Sequence, residues 1–168
     1  MATIINIETS TSSCSLALAS DGEILFSACD PTGMNHAKLL GGYAKEAENV
    51  LKEKNLHLDA ACVSKGPGSY TGLRVGVSCA KGLCYGASKP LISVCTLATI
   101  AQMAIDNKLY GREGEYTIVP MIDARRMEVY TANFNSKGEQ LTPVEAKILD
   151  ETSYAAELAA GPVLFTGN

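Results

Sequence analysis

The fold of this chain is decided by the stretch Gly66-Pro67-Gly68-Ser69-Tyr70-Thr71-Gly72-Leu73-Arg74-Val75-Gly76. It follows an apolar run, Ala60–Ser64, that predicts a buried strand. It leads into a helical pattern with Leu73, Val77 and Leu83 on one side. A strand, a glycine turn and a helix in this order direct backbone N–H groups toward an anion at the helix N-terminus. The stretch therefore predicts an α/β fold with an element of the nucleotide-binding kind.

The loop lacks the residues that phosphate chemistry usually adds. No Gly-Lys-Ser/Thr closes it as in a P-loop, and its glycines are one residue off the dinucleotide spacing. No Asp or Glu ends the next predicted strand, Pro90–Val94, where a ribose contact would lie. Gly66, Gly68 and Ser69 therefore predict either a structural turn or a nucleotide contact, and both remain open.

Composition narrows the class of protein. The chain has 168 residues, of which 46% are hydrophobic and 19% charged, as is typical of soluble globular proteins. Its net charge is −4 and its longest basic run is Arg125-Arg126, which argues against nucleic-acid binding by this chain alone. It shows neither a signal peptide nor an apolar window long enough for a membrane span, and its six cysteines contain no C-x-x-C. We therefore expect a cytoplasmic protein with reduced, buried thiols.

The periodicity of apolar residues predicts a mixed α/β layer fold in the first part of the chain. Three strands form a meander, and further strands follow through helical crossovers. In chain order we expect strands at Thr3–Glu8, Cys14–Ala19 and Glu23–Ala28, a helix at Asn35–Lys52, the strand Ala60–Ser64, a helix ending near Tyr85, the strand Pro90–Val94 and a helix at Thr96–Asp106.

The second part of the chain starts again with a hairpin, which suggests duplicated halves. We place the boundary in the polar segment Lys108–Glu115, giving subdomains 1–107 and 108–168. The second set comprises strands at Thr117–Ile122 and Met127–Phe134, a helix near Thr152–Ala159 and a strand at Val163–Phe165. Because the chain stops just past that strand, we expect the second subdomain to be incomplete.

The hairpin turn at Asp123–Arg126 contains two adjacent arginines. We expect Asp123 to stabilise the turn. Arg125 and Arg126 are compatible with surface solvation or with contact to a partner or to tRNA, and the sequence leaves both open.

Three segments carry a resemblance to a known family: Ile7–Thr11 with Cys14–Leu18, Gly66–Gly76, and Ile122–Tyr130. They resemble the TsaB (YeaZ) family, the bacterial dimerisation subunits of tRNA threonylcarbamoyladenosine synthesis. The resemblance implies an actin-like ATPase (ASKHA) fold of two duplicated subdomains. It also implies a non-catalytic scaffold that binds and activates a catalytic paralogue, TsaD, which transfers threonylcarbamoyl to the adenosine beside the anticodon.

The same resemblance implies the other partners. They are a TsaE-type ATPase, a second copy of the chain when it is alone, and tRNA only through the complex. ATP and Mg²⁺ would belong to the assembled complex rather than to this chain as a cofactor. A stand-alone ATPase or small-molecule kinase of the same fold is the alternative.

The sequence predicts neither a metal site nor a catalytic residue. The catalytic paralogue has a His-x-x-x-His pair, and the matching positions here, Thr96 and Ile100, are not ligands. The only histidines are His36, which we interpret as a helix-start or surface residue, and the distant His57. Cys79 and Cys84 are interpreted as packing residues. An older glycoprotease label for this wider family is therefore not supported by these residues.

A hydroxyl-rich turn follows the first predicted strand. Glu8, Thr9, Ser10 and Thr11 stand where an actin-like ATPase has an acidic residue and hydroxyls facing metal-bound phosphate. They predict either a residual phosphate contact or a turn that bonds its own backbone. With Gly66, Gly68 and Ser69 they form the candidate nucleotide-binding set.

Small residues recur every four positions along the helix that follows the glycine loop, at Gly72, Gly76 and Ala80. Such a strip allows close approach either by the sheet of the same domain or by a helix of a partner. Gly82 and Gly86 extend it, and Gly41-Gly42 thins the preceding helix. A partner of the same fold would pair the same two helices about a two-fold axis. The predicted interface residues are Leu39, Leu40, Tyr43, Ala47, Gly72, Leu73, Arg74, Gly76, Val77 and Ala80.

Overall fold

The structure, a computed structural model, describes residues 2–33, 35–111 and 114–167. The chain forms two compact units that divide between Val94 and Cys95. Each unit contains one mixed sheet with helices packed on it, so the predicted α/β fold is confirmed. None of the helices in the described ranges combines the length and the apolarity that crossing a membrane requires.

The first unit is a five-stranded sheet with two helices. Its strand order is β3-β2-β1-β4-β5, in which β1, β2 and β3 are antiparallel while β4 and β5 run parallel to β1. The parallel strands are reached through helices, as a parallel pairing requires. The elements are β1 (Thr3–Glu8), β2 (Cys14–Ser20), β3 (Glu23–Asp30), α1 (His36–Glu53), β4 (Ala60–Ser64), α2 (Tyr70–Ala87) and β5 (Leu91–Val94).

Alternation along β1 and β2 places every second side chain inside the first unit. Ile5 lies opposite Leu18 in the ladder, and Ile7 lies opposite Leu16. This apolar face packs against residues of α1 and α2, and the resulting core contains Ile5, Ile7, Cys14, Leu16, Leu18, Leu40, Ala47, Leu51, Val63 and Ala80.

The helix limits of the first unit agree with the sequence to within about two residues. α1 begins at His36, directly after its N-cap Asn35. α2 begins after Ser69, whose side chain accepts a hydrogen bond from the Gly72 N–H at 3.3 Å. It ends at Ala87, and its C-cap Ser88 has a left-handed backbone with φ of 54°.

The second unit has the strand order β10-β6-β7-β9, with the short β8 paired to β6. β6, β7 and β9 are antiparallel, whereas β10 runs parallel to β6. Written in reverse, the order β9-β7-β6-β10 repeats the order β3-β2-β1-β4 of the first sheet, with the same parallel and antiparallel pairings. This match supports the predicted duplication. The elements are α3 (Thr96–Asp106), β6 (Thr117–Arg125), β7 (Glu128–Thr131), β8 (Phe134–Asn135), β9 (Glu145–Ile148), α4 (Ala155–Ala160) and β10 (Val163–Gly167).

Several features of the second unit differ from the sequence analysis. The strand predicted at Met127–Phe134 is divided into β7 and the short β8, and β9 has no counterpart among the predicted strands. α3 was expected in the first subdomain, but Leu97, Ala101 and Ala104 form a core with β6 and β8, so the helix belongs to the second unit. The hairpin turn lies at Arg126 and Met127 rather than at Asp123–Arg126, because β6 continues to Arg125.

Candidate functional site

The turn after β1 docks directly on the glycine loop that precedes α2. The Ser69 N–H donates to the Ser10 carbonyl oxygen at 2.6 Å. A Cβ on Gly68 would overlap that same oxygen, and Gly68 has a positive φ of 151°. The loop therefore approaches the turn more closely than any residue with a side chain would allow.

Two further glycines bring α2 onto Thr9. A Cβ on Gly72 would overlap the Thr9 carbonyl oxygen, and a Cβ on Gly76 would overlap the Thr9 hydroxyl oxygen. Thr9 and Ser10 are fully buried, and their hydroxyl oxygens have no hydrogen-bond partner among the described residues. At Gly72 and Gly76 the predicted small-residue strip therefore packs within its own unit. Of the two interpretations of this strip, close packing within the domain applies at these positions, and approach by a partner helix does not.

Both carboxylate oxygens of Glu8 have partners inside the chain. Oε1 accepts from the Ser10 N–H at 2.6 Å, and Oε2 accepts from the Ser64 hydroxyl at the end of β4. Glu8 is part-buried, so these are bonds to a charged acceptor in a shielded place, where they are strong. The carboxylate ties the turn after β1 to the neighbouring strand.

His36 holds the other side of the turn. Its Nε2 lies 3.1 Å from the Thr11 carbonyl oxygen and 3.2 Å from that of Ser13, so an N–H there donates to both. The prediction that His36 starts a helix is confirmed, but its contact with the turn had no signal in the sequence. The Thr11 carbonyl oxygen is thus hydrogen-bonded to the first residue of α1.

The structure brings together most of the candidate nucleotide-binding set. Glu8, Thr9 and Ser10 meet Gly68 and Ser69, whereas Gly66 instead lies against the Leu73 side chain and Thr11 faces His36. The Glu8 carboxylate, the Ser10 and Ser69 N–H groups and the Ser10 carbonyl oxygen already have partners within the chain, whereas the buried Thr9 and Ser10 hydroxyl oxygens have none among the described residues. Nucleotide binding at this junction therefore stays a prediction.

Within the described ranges, no three His, Cys, Asp or Glu side chains converge on a common point where a metal could bind. Burial raises the pKa of the Cys14, Cys62 and Cys79 thiols, so they remain protonated at neutral pH. The Cys84 thiol is buried and donates to the Pro90 carbonyl oxygen at 3.2 Å. These features agree with packing roles for Cys79 and Cys84.

The predicted interface residues divide into two groups. Leu40, Ala47, Gly72, Gly76 and Ala80 are buried inside the first unit, so they form its core and are not available to a partner. This corrects the interface prediction for these five. The second group is half-buried or exposed and comprises Leu39, Tyr43, Leu73, Arg74 and Val77.

Four other glycines of α1 and α2 lie away from the buried residues of these helices and border open space. A Cβ at Gly41, Gly42, Gly82 or Gly86 would meet no atom within 4 Å. Glycine inside a helix costs about 1 kcal/mol relative to alanine, and no contact within the unit requires it at these positions. The result is a thin, side-chain-free strip on α1 and α2.

Comparison with known proteins gives concordant matches. The family model described as TsaD, tRNA N6-adenosine threonylcarbamoyltransferase, matches residues 31–165. The tRNA threonylcarbamoyladenosine biosynthesis protein TsaB of Escherichia coli (strain K12) is 34% identical over 133 residues, which is 78% of this chain and 54% of that protein. The TsaB of Bacillus subtilis (strain 168) is 31% identical over 169 residues, 99% of this chain and 71% of that protein.

A solved structure agrees with these matches. YeaZ from Pseudomonas aeruginosa superposes with a TM-score of 0.70 at 29% identity, covering 91% of this chain and 69% of that one. The matched region spans about half of the Escherichia coli relative.

Proposed function

Because this chain belongs to the TsaB (YeaZ) family, with its actin-like ATPase (ASKHA) fold, we propose that it is a non-catalytic partner subunit in tRNA threonylcarbamoyladenosine biosynthesis. In this role it binds a TsaD-type catalytic subunit of the same fold and activates it. A TsaE-type ATPase joins the complex. The chain contacts tRNA only as part of this complex, and ATP with Mg²⁺ is bound by the assembled complex rather than by this chain alone. We place this work in the cytoplasm.

The observation that carries the proposal is the closed junction between the turn after β1 and the glycine loop. A catalytic carboxylate needs free oxygens for a metal or a water, but both oxygens of Glu8 accept hydrogen bonds within the chain. Thr9 and Ser10 fill the space in front of Gly68, Gly72 and Gly76. These contacts favour a structural use of an element that resembles a nucleotide loop.

We assign the partner surface to the open strip of α1 and α2. Removing side chains from a helix surface lets another helix approach closely, which increases dispersion contacts. A partner of the same fold presents the same two helices, so pairing about a two-fold or pseudo-two-fold axis gives a four-helix contact. Homodimer and heterodimer then compete for one surface. The predicted interface residues that the unit does not bury are Leu39, Tyr43, Leu73, Arg74 and Val77, and they stay predictions; on α2, Leu73 and Val77 lie on the other side of the helix from Gly82 and Gly86.

Reconstitution tests the proposed role. The purified chain is combined with a TsaD-type subunit, a TsaE-type ATPase, threonylcarbamoyl-adenylate and tRNA, and the modified adenosine is measured by mass spectrometry. We expect modification to depend on this chain, and the chain alone to give none. Full activity without the chain contradicts the proposal. Turnover of ATP by the isolated chain supports the alternative, a stand-alone ATPase or small-molecule kinase.

A second experiment tests the surface. Gly41→Leu and Gly82→Leu each place a bulky side chain in the strip, at positions where a Cβ meets no atom within 4 Å. We expect each to weaken association with the catalytic subunit at least roughly tenfold, because it holds the helices apart. Ala156→Leu, on the exposed side of α4, is the matched control and should leave association unchanged. Equal affinity of all three variants and the unmodified chain would remove the assignment.

A further inference from the structure

The tip of the β6–β7 hairpin has an unusual backbone. Arg125 and the two turn residues Arg126 and Met127 all have positive φ, at 72°, 57° and 60°. A two-residue hairpin turn with positive φ at both central positions is normally built from Asn-Gly, because side chains disfavour this region. This turn instead carries an arginine and a methionine.

The strained tip is held from both sides. The Arg125 N–H donates to Asp123 Oδ1 at 2.7 Å, as expected for a turn stabilised by Asp123. The Met127 carbonyl oxygen accepts from the Leu149 N–H at 2.7 Å, and Glu128 pairs with Ile148 of β9. A disfavoured backbone that its surroundings fix in this way is typical of a functional position.

The side chains at the tip point to no partner within the described part of the chain. Arg125 and Arg126 are exposed, and Met127 is 70% exposed. Ion pairs among the described residues join Glu48 to Lys45 and Lys52, and neither tip arginine takes part in one. Two adjacent guanidinium groups thus project from a chain whose net charge is −4.

We propose that this tip binds backbone phosphates of RNA in the assembled complex, an inference that rests on the proposed function. The planar fork of a guanidinium matches phosphate oxygens, and successive phosphates along a strand offer one to each arginine. The exposed Met127 supplies apolar surface that can lie against a sugar or a base. In this way the chain contributes a local contact within the complex, although its net charge is −4 and we do not expect it to bind RNA alone.

The test measures tRNA binding by the complex of this chain with its catalytic subunit, using fluorescence anisotropy over a series of salt concentrations. For Arg125→Gln/Arg126→Gln we expect the slope of log affinity against log salt to fall by about 1 to 2, with roughly tenfold weaker binding at low salt. Lys108→Gln/Lys137→Gln removes two exposed charges from the same unit and should leave the slope unchanged.

A second variant separates binding from stability. Arg126→Asn/Met127→Gly installs the residues that the turn prefers, so it should raise the midpoint of urea unfolding while it weakens tRNA binding. A purely structural tip would change only the unfolding midpoint. A change in the unfolding midpoint alone overturns the inference. So does a salt slope for Arg125→Gln/Arg126→Gln that equals the slope for Lys108→Gln/Lys137→Gln.

Assembly is measured separately for every variant by size-exclusion chromatography. If Arg125→Gln/Arg126→Gln abolishes assembly with the catalytic subunit, the tip binds protein and the inference is wrong while the proposed function stands. If the unmodified chain itself fails to assemble, the proposed function falls and this inference falls with it.

Discussion

Thr9 and Gly76 meet with no room for a side chain between them. A Cβ on Gly76 would overlap the Thr9 hydroxyl oxygen and stand 3.3 Å from the Thr9 Cβ. Thr9 follows β1 and Gly76 lies in the second turn of α2, so this approach, together with that of Gly72 to the Thr9 carbonyl oxygen, brings the helix close to the end of β1. The same helix carries Gly82, where a Cβ would meet nothing within 4 Å.

We predict that Gly76→Ala destabilises the first unit and that Gly82→Ala does not. Overpacking a buried contact costs about 1 to 3 kcal/mol, and Gly76→Ala should lie toward the upper end of that range because Thr9 is fully buried. Gly82→Ala should raise the free energy of unfolding by up to about 1 kcal/mol, since alanine is the better helix former. Urea unfolding followed by circular dichroism measures both. Equal effects of the two changes would contradict the close approach.

We predict that Thr9→Ala partly rescues Gly76→Ala but not Gly72→Ala. At position 76 the new Cβ meets the Thr9 hydroxyl, which the alanine removes. At position 72 it meets the Thr9 carbonyl oxygen, which every residue keeps, so about 3 kcal/mol should be lost in either background. A double-mutant cycle at each glycine gives the coupling energy. Equal coupling energies of Thr9→Ala with Gly76→Ala and with Gly72→Ala would contradict this prediction, because they would show that the Thr9 hydroxyl is not specific to the contact at Gly76.

We predict that the Asp30 carboxyl titrates below its usual range and that Thr32→Val raises its pKa. The Thr32 hydroxyl, the Thr32 N–H and the Asn35 side chain donate to the Asp30 carboxylate, and these bonds lower its pKa. A lowered pKa in the folded state gives stability that is present above the ordinary carboxyl pKa of about 3.9 and is lost as the pH falls through the lowered value. Thr32→Val removes the hydroxyl donor and keeps the N–H.

Carboxyl chemical shifts followed by NMR between about pH 2 and pH 6 measure this pKa. Asp150 provides an internal control, because Thr152 and Ser153 lower its pKa in the other unit and should do so unchanged in Thr32→Val. A parallel shift of both carboxyls would point to a global effect of the substitution rather than to the lost hydrogen bond.

The strands and helices of the first unit could be predicted because their apolar periods are regular and their ends carry turn residues. The sequence could not predict which side of a helix faces a partner. Leu40 and Ala47 recur at the spacing that any buried stripe shows, and Gly72 and Gly76 recur at the spacing of any close contact. In the structure both stripes pack inside their own unit, while a Cβ at Gly41 or Gly82 would meet no atom within 4 Å.

The second unit shows two further limits of sequence reasoning. The apolar stripe of α3 indicates that the helix is buried, but it does not say on which sheet. The sequence therefore predicts a boundary after the helix, whereas the structure divides the chain before it. The sequence analysis does not predict the strand β9, Glu145–Ile148, because it is an edge strand of only four residues whose apolar Ala146 and Ile148 are exposed, so no buried stripe marks it. Its pairing with β7 depends on tertiary contacts.

We predict that Glu8 stabilises the first unit through its two hydrogen bonds. Glu8→Ala leaves the Ser10 N–H and the Ser64 hydroxyl without their acceptor in a part-buried place, which should cost about 2 to 3 kcal/mol. Glu8→Gln keeps a carbonyl oxygen for the Ser10 N–H, and the Ser64 hydroxyl can turn to accept from the new amide, so only about 1 kcal/mol should be lost. Urea unfolding measures the free energies. A carboxylate that serves only to contact nucleotide would contribute little to the stability of the fold. Unchanged stability of both variants, together with loss of ATP binding in both, would therefore favour the phosphate-contact interpretation of Glu8.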